Sequence, residues 1–211
     1  MFCNKNKTGW DDFNGLREIV KSLVKEKRYI HTLGVEEEAV KLAEIFGCGE
    51  ALIKKFRSAA ILHDITKEFD LNRQLEICDK FKIKLSGDDL RVEKEWHAKT
   101  AACIAKSEFG ADDVIFNAIY YHTVGAYKSY ALSAKLVYLA DYTEPYRTFQ
   151  ECVDVRGYFY AGMENAKSME EKYNVLNETM LFSMDKTLEI LIKEKYYIHK
   201  NTVKYRNSYI N

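Results

Sequence analysis

The sequence lacks an excess of charge of either sign. Lys and Arg together number 32, and so do Asp and Glu, which leaves a formal net charge of zero over 211 residues. A surface that binds polyanions in general needs a basic excess, so this balance argues against one. We therefore expect no nucleic-acid partner, and any anion site has to be local.

Long apolar runs are also missing. The longest runs hold only a few residues, far short of the roughly 20 that a helix needs to cross a bilayer. The first residues, MFCNKNKTGWDDFN, contain no apolar core of the kind that signal peptides carry. We therefore expect a cytoplasmic protein with no membrane partner.

Paired cysteines are absent as well. The five cysteines are odd in number, widely separated and never arranged as C-x-x-C; they are Cys3, Cys48, Cys78, Cys103 and Cys152. This pattern indicates neither a disulfide framework nor a thiolate zinc site. We expect most of them to be buried, reduced thiols that pack as small apolar side chains.

Strand-like alternation of apolar and polar residues is not found, and there is no internal repeat or low-complexity linker. Apolar residues recur at helical spacing instead. The spacing predicts helices at about residues 10–27, 28–46, 50–64, 71–81, 96–109, 112–121, 156–172 and 177–197, and one from about 131 that Pro145 ends. With 47% apolar residues, the chain is predicted to be all-α with one substantial core.

Side chains that can bind metal stand at the ends or on the apolar faces of these predicted helices. They are His31, the dipeptide His63-Asp64, His97, His122 and Asp141. A single inward histidine is more often a hydrogen-bonded core residue than a ligand, and Asp141 could be exposed after a helix bend. However, a carboxylate in the apolar turn around Asp141 is expensive to bury unpaired, and a metal or a cation is its natural partner.

The chemistry of these six groups favours a metal centre without sulfur. Nitrogen and oxygen donors suit Fe, Mn, Co, Ni or Zn. Six groups are sufficient for two ions that share one carboxylate. In the natural arrangement one ion has His31, His63, Asp64 and Asp141, and the other has His97, His122 and the second oxygen of Asp64. Such a site keeps about two positive charges, attracts phosphate oxygens, and can supply a metal-bridged hydroxide for attack on phosphorus.

The ordered pattern H, HD, H, H, D resembles the HD-domain metal-dependent phosphohydrolase superfamily in its two-metal form. Four strings narrow the resemblance to the YqeK family: RYIHTLGVEEEAVKLAEIFG, AAILHDITK, YHTVGA and KLVYLADYTEPYR. That family comprises bacterial hydrolases that split diadenosine tetraphosphate and related dinucleotides symmetrically into two nucleoside diphosphates. The resemblance covers roughly residues 27–156. It implies an HD-domain helical bundle with additional N- and C-terminal helices.

The resemblance also implies roles for individual residues. The six groups become the ligands of two divalent ions, with iron as the expected metal. Asp64, as the bridging ligand, and Lys67, which would contact the polyphosphate and assist catalysis, are the predicted catalytic residues. An exposed cation near a helix end is the alternative interpretation of Lys67. Contacts to phosphate or nucleoside are implied for residues near the ligands: Arg28, Thr123, Gly125, Tyr142, Glu144 and Arg147.

The expected substrate is diadenosine tetraphosphate, with ADP or GDP as product, and three alternatives stay open. The same ligands could serve an HD-type hydrolase of another nucleotide, at a phosphodiester or pyrophosphate bond. They could also hold a di-iron centre of an oxygenase, or belong to a non-catalytic nucleotide-binding metal protein. The sequence does not fix the oligomeric state, and a homodimer is left open.

The end of the chain interleaves bases with aromatics, as in Lys204, Tyr205, Arg206 and Tyr209. Such a pattern can bind single-stranded nucleic acid. On a neutral protein we prefer a solvated or subunit-contacting tail, in which His199 has no partner that suggests metal ligation. We therefore predict a single HD-type helical domain at 1–198, with C-terminal helices at 156–197, and a basic, aromatic tail at 199–211.

Overall fold

The computed structural model describes residues 8–210, and the statements below refer to that range. It contains ten α-helices, two short 3₁₀ helices and no strand among the described residues, which confirms the all-α prediction. The α-helices are α1 Phe13–Leu23, α2 Glu26–Ile45, α3 Glu50–Leu62, α4 Leu71–Phe81, α5 Trp96–Phe109, α6 Asp113–Tyr120, α7 Leu132–Thr143, α8 Gln150–Asn165, α9 Met169–Lys193 and α10 Lys200–Asn207; the 3₁₀ helices are Asp89–Arg91 and Glu93–Glu95.

Two apolar clusters form the core, and α3 and α7 contribute to both. One cluster is built mainly by α2, α7, α8 and α9, and it includes Phe56 and Ala60 of α3. The other joins α1, α5 and α6, and it includes Ile61 and Leu62 of α3 and Val137 of α7. The C-terminal end of α3 is buried on opposite sides. The residues that directly follow its last turn therefore lie in the interior of the protein.

The segment after α3 leaves the helix as the sequence predicts. His63 still has helical backbone angles, and the chain then makes turns in which the amide of Lys67 donates to the carbonyl of Asp64. Ile65, between them, is fully buried in the second cluster. The dipeptide His63-Asp64 is therefore held in a tight, buried turn.

The boundaries of several predicted helices differ from the structure. The first helix ends at Leu23, because Val24 is extended and α2 begins at Glu26. The two long C-terminal helices lie at Gln150–Asn165 and Met169–Lys193. Ser168 and Glu171 form a capping box that fixes the start of α9, and this polar signal overrides the apolar periodicity on which the prediction depended.

The prediction of a solvated or subunit-contacting tail is wrong for the described residues. Tyr205 and Tyr209 are only 6% and 7% exposed and belong to the first cluster. His199, the N-cap of α10, is also buried and faces Asp89. The aromatic residues of this segment are packing residues, so helix α10 is part of the folded unit.

The described cysteines are free thiols, as expected, but only Cys78 and Cys152 are buried, whereas Cys48 and Cys103 are half-buried. Cys3 lies outside the described residues. A search of the described helices for one long and apolar enough to cross a membrane finds none.

Replacing Phe159 by Ala is expected to lower the free energy of unfolding by about 3–5 kcal/mol, because this fully buried ring of the first cluster would leave a cavity. Phe149→Ala is the matched control, since Phe149 is 61% exposed, and its effect should stay within about 0.5 kcal/mol. Urea unfolding of the three proteins measures both. Equal losses for the two variants would contradict this description of the core.

Candidate metal centre

The six predicted ligands come together although five separate elements carry them. His31 lies on α2, His63-Asp64 follows α3, His97 lies in the first turn of α5, His122 follows α6, and Asp141 lies in the last turn of α7. The four imidazoles and Asp64 are buried, and Asp141 is partly buried. Two overlapping sets of these residues bring their donor atoms within 4.8 Å of one another: His31, His63 and Asp141; and His63, Asp64 and His122.

The two carboxylate oxygens of Asp64 face different histidines. Oδ2 lies 3.3 Å from Nε2 of His63 and 3.9 Å from Nε2 of His31. Oδ1 lies 3.0 Å from Nε2 of His97 and 3.6 Å from Nε2 of His122. Each oxygen is therefore the carboxylate donor for one pair of imidazoles.

Asp141 completes one side of this arrangement. Its Oδ1 lies 2.9 Å from Nε2 of His31 and 3.8 Å from Nε2 of His63. We call His31, His63, Asp141 and Oδ2 of Asp64 the first group, and His97, His122 and Oδ1 of Asp64 the second group. The division agrees with the arrangement expected for two ions that share Asp64.

Hydrogen bonds from the ring Nδ1 atoms orient three of the imidazoles. Nδ1 of His63 donates to the carbonyl of Ala60 over 2.6 Å, and Nδ1 of His122 donates to that of Ile119 over 2.6 Å. Nδ1 of His97 donates to the carbonyl of Lys94 over 2.7 Å. Donation from Nδ1 leaves the Nε2 lone pair free to bind a metal, as in histidine ligands generally.

Glu144 orients the ring of His31 through a hydrogen bond to its Nδ1. Its Oε1 lies 3.1 Å from Nδ1 of His31, and its Oε2 accepts from the backbone amide of Tyr146 over 2.6 Å. The sequence predicted Glu144 as a nucleoside contact. That contact stays a prediction; in the structure this buried carboxylate is the partner of a candidate ligand, an arrangement that fixes the ring and raises its basicity.

Several ring nitrogens and carboxylate oxygens in the cluster lie within hydrogen-bond distance of one another, but no proton is available to form hydrogen bonds between them. Nε2 of His97 and Nε2 of His122 are 3.0 Å apart, although both rings donate through Nδ1. Among the described residues, Nε2 of His31, Nε2 of His63 and Oδ1 of Asp64 are buried and find no hydrogen bond of good geometry. Unpaired buried polar atoms are costly. Two nitrogens that bind one ion at 2.0–2.1 Å and at right angles would lie about 3 Å apart, so the donors fit divalent ions.

The protonation states of His97, His122 and Asp64 agree with ligation, whereas for His31 burial is outweighed by hydrogen bonds to Asp141 and Glu144, which raise its pKa. Burial together with the charge of Lys67 lowers the pKa of His97 to about 3, so its ring is neutral. Burial also lowers the pKa of His122. For Asp64, burial alone would raise the pKa, but the neighbouring charges of His63 and Lys67 outweigh it and hold that pKa well below its usual range. Neutral imidazoles and ionised carboxylates are the forms that bind metal.

Three cations surround the cluster, as the sequence predicts. Arg28 contacts Oδ2 of Asp64 over 2.8 Å, and Arg147 contacts Oδ1 of Asp141 over 2.6 Å. Nζ of Lys67 lies 3.2 Å from Nε2 of His97. Lys67 is not the exposed cation of the alternative interpretation, and its burial lowers its pKa.

A cavity of about 630 Å³ opens beside the first group, between the start of α2 and the turn after α7. Arg28, His31 and Arg147 line it, and exposed apolar side chains form its rim; these are Ile30, Tyr146 and Phe149. The sequence did not single out this rim. Spacing alone cannot tell an aromatic residue in a turn from one that packs in the core, and the only available signal was the proline that precedes Tyr146.

Three of the predicted nucleotide contacts do not line this cavity. Thr123 lines a separate cavity of about 150 Å³. Gly125 has φ +82°, and a Cβ there would meet the Met184 side chain at 2.4 Å, so this glycine serves close packing against α9. Tyr142 packs against Tyr138 in the core. These three residues lie away from this cavity, whereas Arg28, Glu144 and Arg147 line it; the nucleotide contacts of all six stay predictions.

Comparison with known proteins agrees with the fold and the cluster. The family described as HD domain matches residues 28–146, and the chain belongs to that family. Within it, the chain is similar to proteins named symmetrical bis(5'-nucleosyl)-tetraphosphatase, which confirms the predicted membership of the YqeK family. The protein from Staphylococcus aureus is 33% identical over 180 residues, covering 84% of this chain and 88% of that protein. The protein from Bacillus subtilis is 33% identical over 184 residues, covering 87% and 89%.

A solved structure shares the architecture. It is a Clostridium acetobutylicum protein described as a predicted HD superfamily hydrolase involved in NAD metabolism. The two chains superpose with a TM-score of 0.80 at 31% identity, over 94% of this chain and 96% of that one. The helical bundle is thus found, nearly complete, in a relative.

Asp64→Ala is expected to remove nearly all bound divalent metal, because this carboxylate belongs to both groups. Metal analysis by mass spectrometry after dialysis against Mn²⁺ measures it. Glu36→Gln is the control, since Glu36 is also buried but contacts Arg17 and Arg57 and no histidine; its metal content should match the wild type. Wild-type metal content in Asp64→Ala would contradict the assignment.

Proposed function

We propose that this chain hydrolyses diadenosine tetraphosphate and related dinucleoside polyphosphates symmetrically to nucleoside diphosphates, at a centre of two divalent ions. The observation that carries the proposal is the position of Asp64, whose two oxygens face two different pairs of imidazoles. Relatives named symmetrical bis(5'-nucleosyl)-tetraphosphatase, at 33% identity over most of the chain, support the choice of substrate.

The first group would hold one ion and the second group the other. When bound, two such ions would attract phosphate oxygens and lower the pKa of a bound water towards neutrality. Iron is the metal that the family resemblance implies, and a donor set of nitrogen and oxygen without thiolate accepts it as well as Mn, Co, Ni or Zn. Iron and a cytoplasmic location stay predictions from the sequence, and a homodimer stays open.

The cations around the cluster would bind the polyphosphate. Arg28 and Arg147 both line the cavity beside the first group, and a planar guanidinium suits two phosphate oxygens at once. Lys67 lies beside the second group, where its ammonium would neutralise charge that develops on phosphate oxygens during the reaction. Asp64 and Asp141 favour its charged form and oppose the effect of burial on its pKa.

The rim of the cavity would hold a nucleobase. Tyr146 and Phe149 are 57% and 61% exposed although both are large aromatic residues. Each lines the same cavity as the two arginines, so a base could stack on a ring while its phosphates reach the ions. These residues take the place of Thr123, Gly125 and Tyr142 in the predicted nucleoside contacts.

Product analysis tests the proposed function. Metal-loaded protein is incubated with diadenosine tetraphosphate, and the nucleotides are separated by chromatography. We expect ADP as the only nucleotide product, and we expect removal of the metal with a chelator to abolish its formation. ATP together with AMP as products, or turnover that survives chelation, would contradict the proposal.

Lys67→Ala is expected to slow turnover by about 10²–10³-fold, the range measured when one charge-stabilising donor is removed, while metal content stays at the wild-type level. Lys80→Ala serves as the control, because Lys80 is exposed and pairs with Glu108. Steady-state kinetics and metal analysis of both variants give the result. Unchanged turnover in Lys67→Ala would make this lysine a structural cation.

Tyr146→Ala and Phe149→Ala are each expected to raise KM by about 5- to 150-fold with kcat nearly unchanged, which corresponds to the roughly 1–3 kcal/mol of one base–aromatic stack. Tyr146→Phe should restore the wild-type KM, because stacking needs only the ring. Ile192→Ala removes a side chain that is 66% exposed on α9 and should change neither constant. A wild-type KM in both alanine variants would exclude stacking at this rim.

A further inference from the structure

The C-terminal segment, residues 196–210, contacts two stretches of chain that are far apart in sequence. One stretch precedes α5, and the other follows α6. His97 and His122, the two histidines of the second group, belong to the ends of these stretches. The segment that looks like a tail in the sequence therefore contacts both stretches of chain that lead to the second group.

The first contact is with the 3₁₀ helices before α5. Nε2 of His199 lies 3.3 Å from Oδ1 of Asp89, and both side chains are buried. Beside them, the Tyr197 hydroxyl donates to Asp88 over 2.7 Å and Nζ of Lys200 lies 2.9 Å from Oδ2 of Asp88. These contacts fix the 3₁₀ helix Asp89–Arg91 against the C-terminal segment.

This stretch sets the orientation of His97. The indole of Trp96 donates to the carbonyl of Asp89 over 2.7 Å, and this bond joins the anchored aspartate to the residue next to His97. The Nδ1 of His97 donates to the carbonyl of Lys94, in the second 3₁₀ helix. Displacing this stretch would therefore move the carbonyl that holds the ring of His97 in its ligand orientation.

The second contact is with the loop that follows His122. The Tyr209 hydroxyl donates to the carbonyl of Ala126 over 2.9 Å, and the amide of Lys128 donates to Oγ of Ser208 over 3.0 Å. The ring of Tyr205 packs on that of Tyr127 with centroids 4.6 Å apart. The loop between α6 and α7 is thereby fastened to α10.

The first group is held in another way. His31, His63 and Asp141 lie on or directly after α2, α3 and α7, which pack on one another through the core clusters. Their positions follow from helix packing in the middle of the bundle. The second group lies at the start of α5 and directly after the short helix α6, where docking of the C-terminal segment adds a further constraint.

We propose that the C-terminal segment positions His97 and His122, and that the second metal site is complete only when this segment is docked. His199 and Tyr209 are the positioning residues, because each makes a buried polar contact with one of the two stretches. The inference rests on the proposed two-ion centre, but it concerns metal binding and does not depend on which nucleotide is cleaved.

The test is the double variant His199→Asn, Tyr209→Phe. Asparagine can still cap α10 through the amide of Asn201, which His199 caps now, but it is too short to reach Asp89 as His199 does. Phenylalanine keeps the buried ring and loses only the hydroxyl that binds Ala126. Arg206→Gln is the matched control, because Arg206 anchors α10 to Asp185 of α9 and touches neither stretch in these contacts.

Titration with Mn²⁺ alone, followed by metal analysis, measures the two affinities in each protein, and circular dichroism checks the helix content. In the double variant the second ion should bind about 10- to 100-fold more weakly, as for other changes that misorient histidine ligands, while the first ion binds as in the wild type. The control should bind both ions with wild-type affinity.

Several results would overturn the inference: two wild-type affinities in the double variant, an equal loss at both sites, or a wild-type protein that binds one ion only. Failure of the proposed function gives a different result. If the wild type binds two ions and the double variant loses the second, but neither cleaves diadenosine tetraphosphate, the positioning role stands and the substrate assignment fails.

Discussion

A buried carboxylate whose two oxygens face two different pairs of imidazoles is the interaction on which the rest of this structure depends. Hydrogen bonds cannot join Asp64 to both pairs of rings, because the rings already donate their Nδ1 protons to backbone carbonyls and to Glu144. Divalent ions satisfy all of these donors at once. The helical bundle can be understood as the framework that brings the donors to Asp64, with α3 buried from both sides so that its last turn reaches the centre.

The residues beside the first group differ in character from those beside the second group. On the side of the first group, an open cavity holds two arginines and an aromatic rim, which suits a polyphosphate with a base at its end. On the side of the second group, Nζ of Lys67 lies 3.2 Å from Nε2 of His97, and the C-terminal segment packs against the stretch that precedes this histidine. Substrate would therefore enter from the first group.

Much of the centre could be predicted from the sequence, because polar side chains at the ends of apolar helices stand out against their neighbours. His63-Asp64 is the clearest example. The role of Glu144 could not be predicted, since it depends on how the turn at Pro145 folds back towards α2. The docking of α10 was missed because interleaved Lys and Tyr residues are typical of a solvated segment, and only tertiary contacts show that Tyr205 and Tyr209 lie in the core. The start of α9 could have been predicted, because Ser168 and Glu171 have the spacing of a capping box.

Electron paramagnetic resonance of the wild-type protein loaded with Mn²⁺ tests the bridging role of Asp64. Ions that share one carboxylate in such sites lie about 3.5–4 Å apart and are magnetically coupled. We expect the signal of isolated Mn²⁺ to give way to a coupled spectrum as the second equivalent binds. Saturation at one equivalent, or two equivalents that keep the signal of isolated ions, would contradict the bridge.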